Sequence, residues 1–120
     1  VSDPFTERPR AGEVGAVILF SANIVSRSQL TGLTSSLQRA ARDGGNPALL
    51  ITTDQEGGEV KRLPAGPPQL SPPQIAATGS TKVAYGQGRA TGAYLKGLGI
   101  NMDLAPVVDV PTFSGAFIWR

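Results

Sequence analysis

The chemistry-bearing residues of this chain gather where an apolar run ends: Leu49-Leu50-Ile51-Thr52-Thr53-Asp54-Gln55-Glu56-Gly57-Gly58-Glu59-Val60-Lys61-Arg62. A carboxylate buried without a partner costs several kcal/mol, so Asp54 is expected where a strand leaves the core and meets a ligand or a hydrogen-bonding shell. That reading, an acceptor holding a ligand at a strand terminus, outweighs a helix cap or a local turn. Glu56 lies two residues on and shares a face with Asp54 if strand geometry continues. Paired carboxylates do general acid/base work only at a controlled separation and with shifted protonation, and spacing fixes neither, so no catalytic residue is assigned. Glu56 is balanced between pairing with Lys61 or Arg62 and facing solvent. Arg62 offers a rigid donor fork suited to a carboxylate or a sugar oxygen. Gly57-Gly58 lets the backbone turn tightly between them.

Asp103 and Asp109 repeat the theme of an acid near a strand end. Asp103 falls inside an apolar segment and needs a buried partner, whereas Asp109 follows Pro106 and is better placed for a rim. Asp54, Glu56 and Asp109 are oxygen donors of the kind magnesium or manganese takes, but a carboxylate count does not make a site. No metal or cofactor is assigned. Gly57-Gly58 and Gly97-x-Gly99 are not dinucleotide fingerprints, because neither follows a strand with G-x-G-x-x-G and an immediate helix.

Composition narrows the classes. The 120 residues are 40% apolar and 17% charged, which is globular rather than disordered. Eleven basic and nine acidic residues leave a net charge of +2, and the cations are scattered apart from Lys61-Arg62, so no nucleic-acid partner is expected. With no cysteine and no histidine, thiol chemistry, disulfides, ordinary zinc sites and a histidine acid/base from this segment are excluded. The apolar runs are too short to span a membrane. The chain starts at Val1 and not at Met, so an upstream portion is compatible with it, and a cytoplasmic or a secreted or cell-envelope parent both stay open.

In chain order, Val1 to Gly12 lacks periodicity and is expected as an irregular lead-in. Gly15 to Phe20 fits a first buried strand, with Asn23 as a turn residue after it. From Ser28 to Ala41, Leu30, Leu33, Leu37 and Ala40 or Ala41 form one apolar stripe, capped by Ser26 or Ser28, with Gln29, Ser35, Gln38, Arg39 and Arg42 on the wet side. Gly44-Gly45 and Pro47 end that helix before a second strand, Leu49 to Thr53, which makes a right-handed βαβ unit. Pro64 to Pro73 holds five prolines and one glycine, a stiff loop poor in donors. A short helical turn is expected after Ser71. A second long helix, Thr81 to Lys96, is capped by Ser80, with Val83, Ala84, Ala90, Tyr94, Leu95 and Leu98 inward; Gly86, Gly88 and Gly92 weaken it unless they allow close approach to the sheet. Met102 to Ala105 is the third strand, and 111–120 reads as a loop with no closing element. Three strands leave exposed edges, so the chain is expected to be the first part of a larger α/β domain and to self-associate through its incomplete sheet.

Two stretches together resemble a known family. Thr53-Asp54-Gln55-Glu56-Gly57-Gly58-Glu59-Val60-Lys61-Arg62 is similar to the D-Q-E-G-G-x-V-x-R signature, and Gly97-Leu98-Gly99-Ile100-Asn101-Met102-Asp103-Leu104-Ala105-Pro106-Val107-Val108-Asp109-Val110 to the L-G-I-x-x-x-x-A-P-V-x-D-V signature, of the N-terminal catalytic domain of family 3 glycoside hydrolases, in particular its bacterial β-N-acetylhexosaminidase branch. Gly15 to Phe20 resembles that family's first barrel strand. The resemblance implies an α/β fold, the N-terminal part of a TIM (β/α)8 barrel, incomplete in this chain, with residues 1–120 covering about the first three β/α units. It implies that Asp54 accepts hydrogen bonds from hydroxyls of the sugar in the minus-one subsite, that Arg62 binds or orients beside it, and that Glu56 and Asp109 support the site.

Members of this branch continue to a K-H-F-P-G-H-G motif with sugar-binding Lys and His, a histidine-bearing acid/base loop and a later aspartate nucleophile, none of which is in this sequence. The resemblance therefore implies part of a retaining, exo-acting β-N-acetylhexosaminidase whose intact form takes N-acetylglucosamine-containing saccharides, while this chain contributes binding geometry and not the two-step reaction. The alternatives are a noncatalytic sugar-binding or interaction fragment and part of a related β-glucosidase. A continuation carrying the lysine-histidine motif and the downstream aspartate separates the first reading from the second.

Overall fold

The computed structural model describes residues 4–110, 112, 113 and 115; the rest of the loop read at 111–120 lies outside the described residues. Three strands, β1 (Ala16–Leu19), β2 (Leu50–Thr53) and β5 (Met102–Asp103), form one parallel sheet in the order β1-β2-β5. The first pair runs in register from Ala16 opposite Leu50 to Leu19 opposite Thr53, and Thr52 and Thr53 stand opposite Met102 and Asp103. Each parallel neighbour is reached through a helix, α2 (Arg27–Asp43) after β1 and α4 (Thr81–Lys96) before β5. A two-stranded antiparallel hairpin, β3 (Gln55–Gly57) and β4 (Val60–Lys61), stands at the end of β2. It was not legible as strand, because two short segments around a glycine pair carry no alternation.

The helices begin where their caps place them. Ser26, not Ser28, caps α2 by accepting from Gln29 N at 3.1 Å, and Ser80 caps α4 by accepting from Val83 N at 3.3 Å. The turn after Ser71 is a short helix, α3 (Pro72–Ala77), fixed by a reciprocal pair in which Ser71 N donates to Gln74 Oε1 at 2.8 Å and Gln74 N to Ser71 Oγ at 3.4 Å. Asn23 is a turn residue, its Oδ1 accepting from Phe20 N at 2.9 Å across a short 3-10 turn.

Both long helices pack on one face of the sheet. Leu30, Leu37 and Ala41 of α2 meet Leu19, Leu49 and Ile51 of the strands and Leu95, Leu98 and Ile100 at the end of α4 in one core. Thr34 locks the two helical segments together by donating from Oγ1 to Leu98 O at 2.9 Å in the interior. On the opposite face Ile18, Leu50 and Met102 are 40%, 50% and 41% exposed, so this apolar face is only partly covered among the described residues.

Three expectations are corrected. The lead-in is not irregular: Pro4–Arg10 is a helix, α1, packed on α2. Its terminal carbonyls are taken by Asn46, whose Nδ2 donates to Pro9 O at 3.1 Å and Arg10 O at 2.8 Å, a cap from far along the chain that local periodicity does not reveal. Gln38 is not on the wet side of α2. It is half-buried, with Nε2 donating to Leu49 O at 2.9 Å and Oε1 accepting from Leu49 N at 3.0 Å, so its amide completes the backbone pairing just before β2.

The inward face of α4 also differs. Ala84 and Ala90 are exposed, and the inward line runs through Val83, Gln87, Thr91, Tyr94 and Leu95. Gly86, Gly88 and Gly92 do not approach the sheet, since a Cβ added at any of them meets nothing within 4 Å. Their cost to the helix is therefore uncompensated here. Gly88→Ala is expected to stabilise the 120-residue chain by about 0.5–1 kcal/mol, read as a raised midpoint in thermal or denaturant unfolding. An unchanged or lowered midpoint would show a packing role for that position.

Candidate functional site

The site forms at the carboxyl end of β2. Asp54 is the first residue past the strand, and the glycine pair turns the chain back so that β4 runs antiparallel beside it. Gly57 and Gly58 have φ of +101° and +64°, a region that side chains with a Cβ rarely adopt. A Cβ on Gly57 would also come within 2.8 Å of Leu70 O and 2.9 Å of Pro68 Cγ, so the proline loop closes directly over the turn. The hairpin brings Arg62 over Asp54: Arg62 N donates to Asp54 O at 3.2 Å, and the guanidinium donates from Nε at 3.2 Å and Nη2 at 2.8 Å to one oxygen, Oδ2.

Asp54 and Arg62 side chains are 16% and 30% exposed, so the pair is less screened than a surface ion pair. Phe20, at the end of β1, lies with its ring centroid 5.5 Å from the guanidinium carbon, a cation–π contact. Because both guanidinium bonds go to Oδ2, no hydrogen bond from the described residues reaches Oδ1. The carboxylate is fixed in place with one acceptor oxygen in hand.

Sequence reasoning missed Gln55. It is 1% exposed, and its side chain donates from Nε2 to Leu63 O at 3.0 Å and Pro67 O at 2.8 Å while Oε1 accepts from Leu63 N at 2.9 Å. An uncharged amide between two carboxylates gives no charge or periodicity signal; the one hint was a donor beside a proline-rich loop short of donors. Asp103, expected to need a buried partner, has one: its Oδ1 accepts from Gln55 N at 3.0 Å.

Asp54, Glu56, Arg62 and Asp103 are thus drawn together. Asp109 is not among them. It is exposed, and no hydrogen bond or ion pair among the described residues joins it to the other four. Glu56 is half-buried and forms no ion pair among the described residues, neither with Lys61 nor with Arg62. Among the described residues no group of three or more His, Cys, Asp or Glu side chains could hold a metal ion.

Two carboxyls beside Asp54 are shifted by their surroundings. Burial raises the Glu56 carboxyl above its ordinary value, the negative charge of Asp54 adds to this, Arg62 opposes it, and Asp103 adds a further push. Asp103 is also raised, first by burial, against the Gln55 N–H that favours its charged form, with Asp54 pushing it further up. A carboxyl that holds its proton more tightly when folded contributes stability that is full below its unfolded pKa and is lost as pH rises through the folded one. Glu56→Gln is therefore expected to be more stable than the wild type at neutral pH, with the gap closing as pH falls below the ordinary glutamate range. Thermal unfolding across that range checks it, and a gap that widens in acid would reverse the assignment.

This geometry has known relatives. Residues 6–116 match the glycosyl hydrolase family 3 N terminal domain. The chain belongs to that family. It is 39% identical over 109 residues to an uncharacterized secreted glycosyl hydrolase of Arthroderma benhamiae, covering 89% of this chain and 31% of that protein. It is 35% identical over 104 residues to a β-hexosaminidase of Alkalilimnicola ehrlichii, covering 81% of this chain and 29% of that one. A family 3 β-N-acetylglucosaminidase from a Paenibacillus species superposes with a TM-score of 0.79 at 36% identity, over 88% of this chain and 20% of its own. The α/β fold with its parallel sheet is that of the TIM-barrel-like N-terminal domain of these neighbours, and the chain spans about three-tenths of the length of the curated relatives, 31% and 29%.

Proposed function

We propose that this segment is the first part, about three β/α units, of the barrel of a longer exo-acting β-N-acetylhexosaminidase that removes terminal N-acetylhexosamine residues with retention. Asp54 holds hydroxyls of the sugar in the minus-one subsite, and Arg62 orients Asp54. The observation that carries this is the carboxylate itself: it stands at the carboxyl end of a parallel strand, where barrel enzymes build their sites, with Oδ2 occupied by Arg62 and Oδ1 open to a donor. Neutral hydroxyls suit a cluster of three carboxylates and one cation better than an anionic ligand does. The names of the relatives support the substrate class.

In the retaining reaction a carboxylate attacks the anomeric carbon as the aglycone leaves with a proton from a general acid, and water then releases the covalently held sugar. Asp54 takes neither role. It fixes the ring through hydrogen bonds that strengthen as charge develops in the transition state.

In the longer enzyme, Asp54→Asn keeps the shape and removes charge-assisted acceptance worth roughly 1.5–3 kcal/mol, an expected loss of about tenfold to hundredfold in kcat/KM. Near-wild-type kcat/KM in folded protein would defeat the role. The 120-residue chain by itself is expected not to hydrolyse aryl β-N-acetylglucosaminides, and turnover with a glycosyl intermediate trapped on one of its residues would overturn that. Its uncovered row of Ile18, Leu50 and Met102 favours self-association, which light scattering on a dilution series reads; a strict monomer with a protected sheet would count against it.

A further inference from the structure

We propose that Asp103 is a positioning residue for Asp54, acting through the backbone and never touching the substrate. The inference rests on the reading of Asp54 as the sugar-holding carboxylate. The peptide unit that follows Asp54 has one acceptor and one donor, and a different element takes each: Asp54 O accepts from Arg62 N at 3.2 Å, and Gln55 N donates to Asp103 Oδ1 at 3.0 Å. The peptide unit before Asp54 is held as well, because Thr53 O accepts from Leu104 N at 3.0 Å.

Both flanking peptide units are hydrogen-bonded to other elements, which restrains the Asp54 backbone, and Arg62 holds the side chain through Oδ2. The direction of Oδ1 is then set. Removing Asp103 leaves Gln55 N without its acceptor and the peptide unit after Asp54 held only through Asp54 O, so the backbone that carries the carboxylate can shift and its aim loosens. A carboxylate is a strong acceptor for a backbone N–H, and β5 delivers it from a neighbouring parallel strand, so the register of Thr53 opposite Asp103 sets the aim of the site.

The test is a double-mutant cycle in the longer enzyme proposed above, with thermal unfolding of each variant. Asp103→Ala is expected to lower kcat/KM about tenfold, whereas Asp103→Asn, which keeps an acceptor oxygen at the same reach, is expected to lose no more than about threefold. Since Asp103 acts through Asp54, adding Asp103→Ala to Asp54→Asn should cost little more than Asp54→Asn alone. Losses that multiply would overturn the positioning role, as would full activity in Asp103→Ala beside a large loss in Asp54→Asn. Full activity in Asp54→Asn would instead strike at the sugar-holding reading and take this inference with it. Where Asp103→Ala does not accumulate as folded protein, Asp103→Ser carries the same cycle.

Discussion

Gln55 is 1% exposed, so no water replaces a bond that its amide fails to make, and that amide is the buried grip on the loop beyond Arg62, which Gln69 N pins at its far side by donating to Gln87 Oε1 at 2.7 Å. The stretch from Pro64 to Pro73 lacks the backbone donors for a ladder of its own. Gln55 Nε2 donates to Leu63 O just before the loop and to Pro67 O within it, and Leu63 O also accepts from Gly66 N at 3.0 Å. Leu63 immediately follows Arg62, so the same amide that anchors the loop also anchors the cation over Asp54. Cutting these bonds would leave Leu63 N and Pro67 O without their Gln55 partner, at about 1–3 kcal/mol for each group left unpaired, and would loosen the chain next to Arg62.

The charge distribution follows from that anchoring. The Arg62 guanidinium spends two of its donors on a single oxygen of Asp54, and the Glu56 and Asp103 carboxyls lie within electrostatic range of that aspartate. The Arg62 guanidinium also lies over the Phe20 ring, so it meets an anion and an aromatic ring supplied by two different strand ends. Glu56 and Asp103 feel burial and the Asp54 charge together, which raises both. A crowded acidic cluster of this kind gains more from hydroxyl donors than from phosphate or carboxylate ligands, because a further anion would add repulsion at short range.

The sheet explains why such a cluster can be held at all. Parallel strands place their carboxyl ends on one edge, so β1, β2 and β5 deliver Phe20, Asp54 and Asp103 to the same rim without any loop having to travel far. The helices close one face and leave Ile18, Leu50 and Met102 uncovered on the other. In the closed barrels of this architecture that second face is the packed interior. The Paenibacillus relative, of which this chain covers 20%, has four-fifths of its length beyond the matched part.

Local physics made the three parallel strands, the two long helices and the Asp54 and Arg62 positions legible from the residues alone. Unbroken apolar runs at Gly15 to Phe20 and Leu49 to Thr53 specify parallel strands, although Ile18, Phe20 and Leu50 stay 40–50% exposed instead of buried among the described residues, the spacing of Leu30, Leu33 and Leu37 specifies a helix, and an acid just past such a run belongs at its end. What only the tertiary structure decided was the work of the polar amides and of the second acid. Asn46 caps α1 from 36 and 37 residues away, Asp103 takes the Gln55 N–H across 48, and Thr34 reaches Leu98 O across 64. Burial of an apolar side chain is signalled by its own type and its neighbours' spacing, but an Asn, Gln or Asp is equally at home on the surface. Its role is set by whichever unpaired backbone group the fold brings within about 3 Å, and that group is chosen by packing far along the chain.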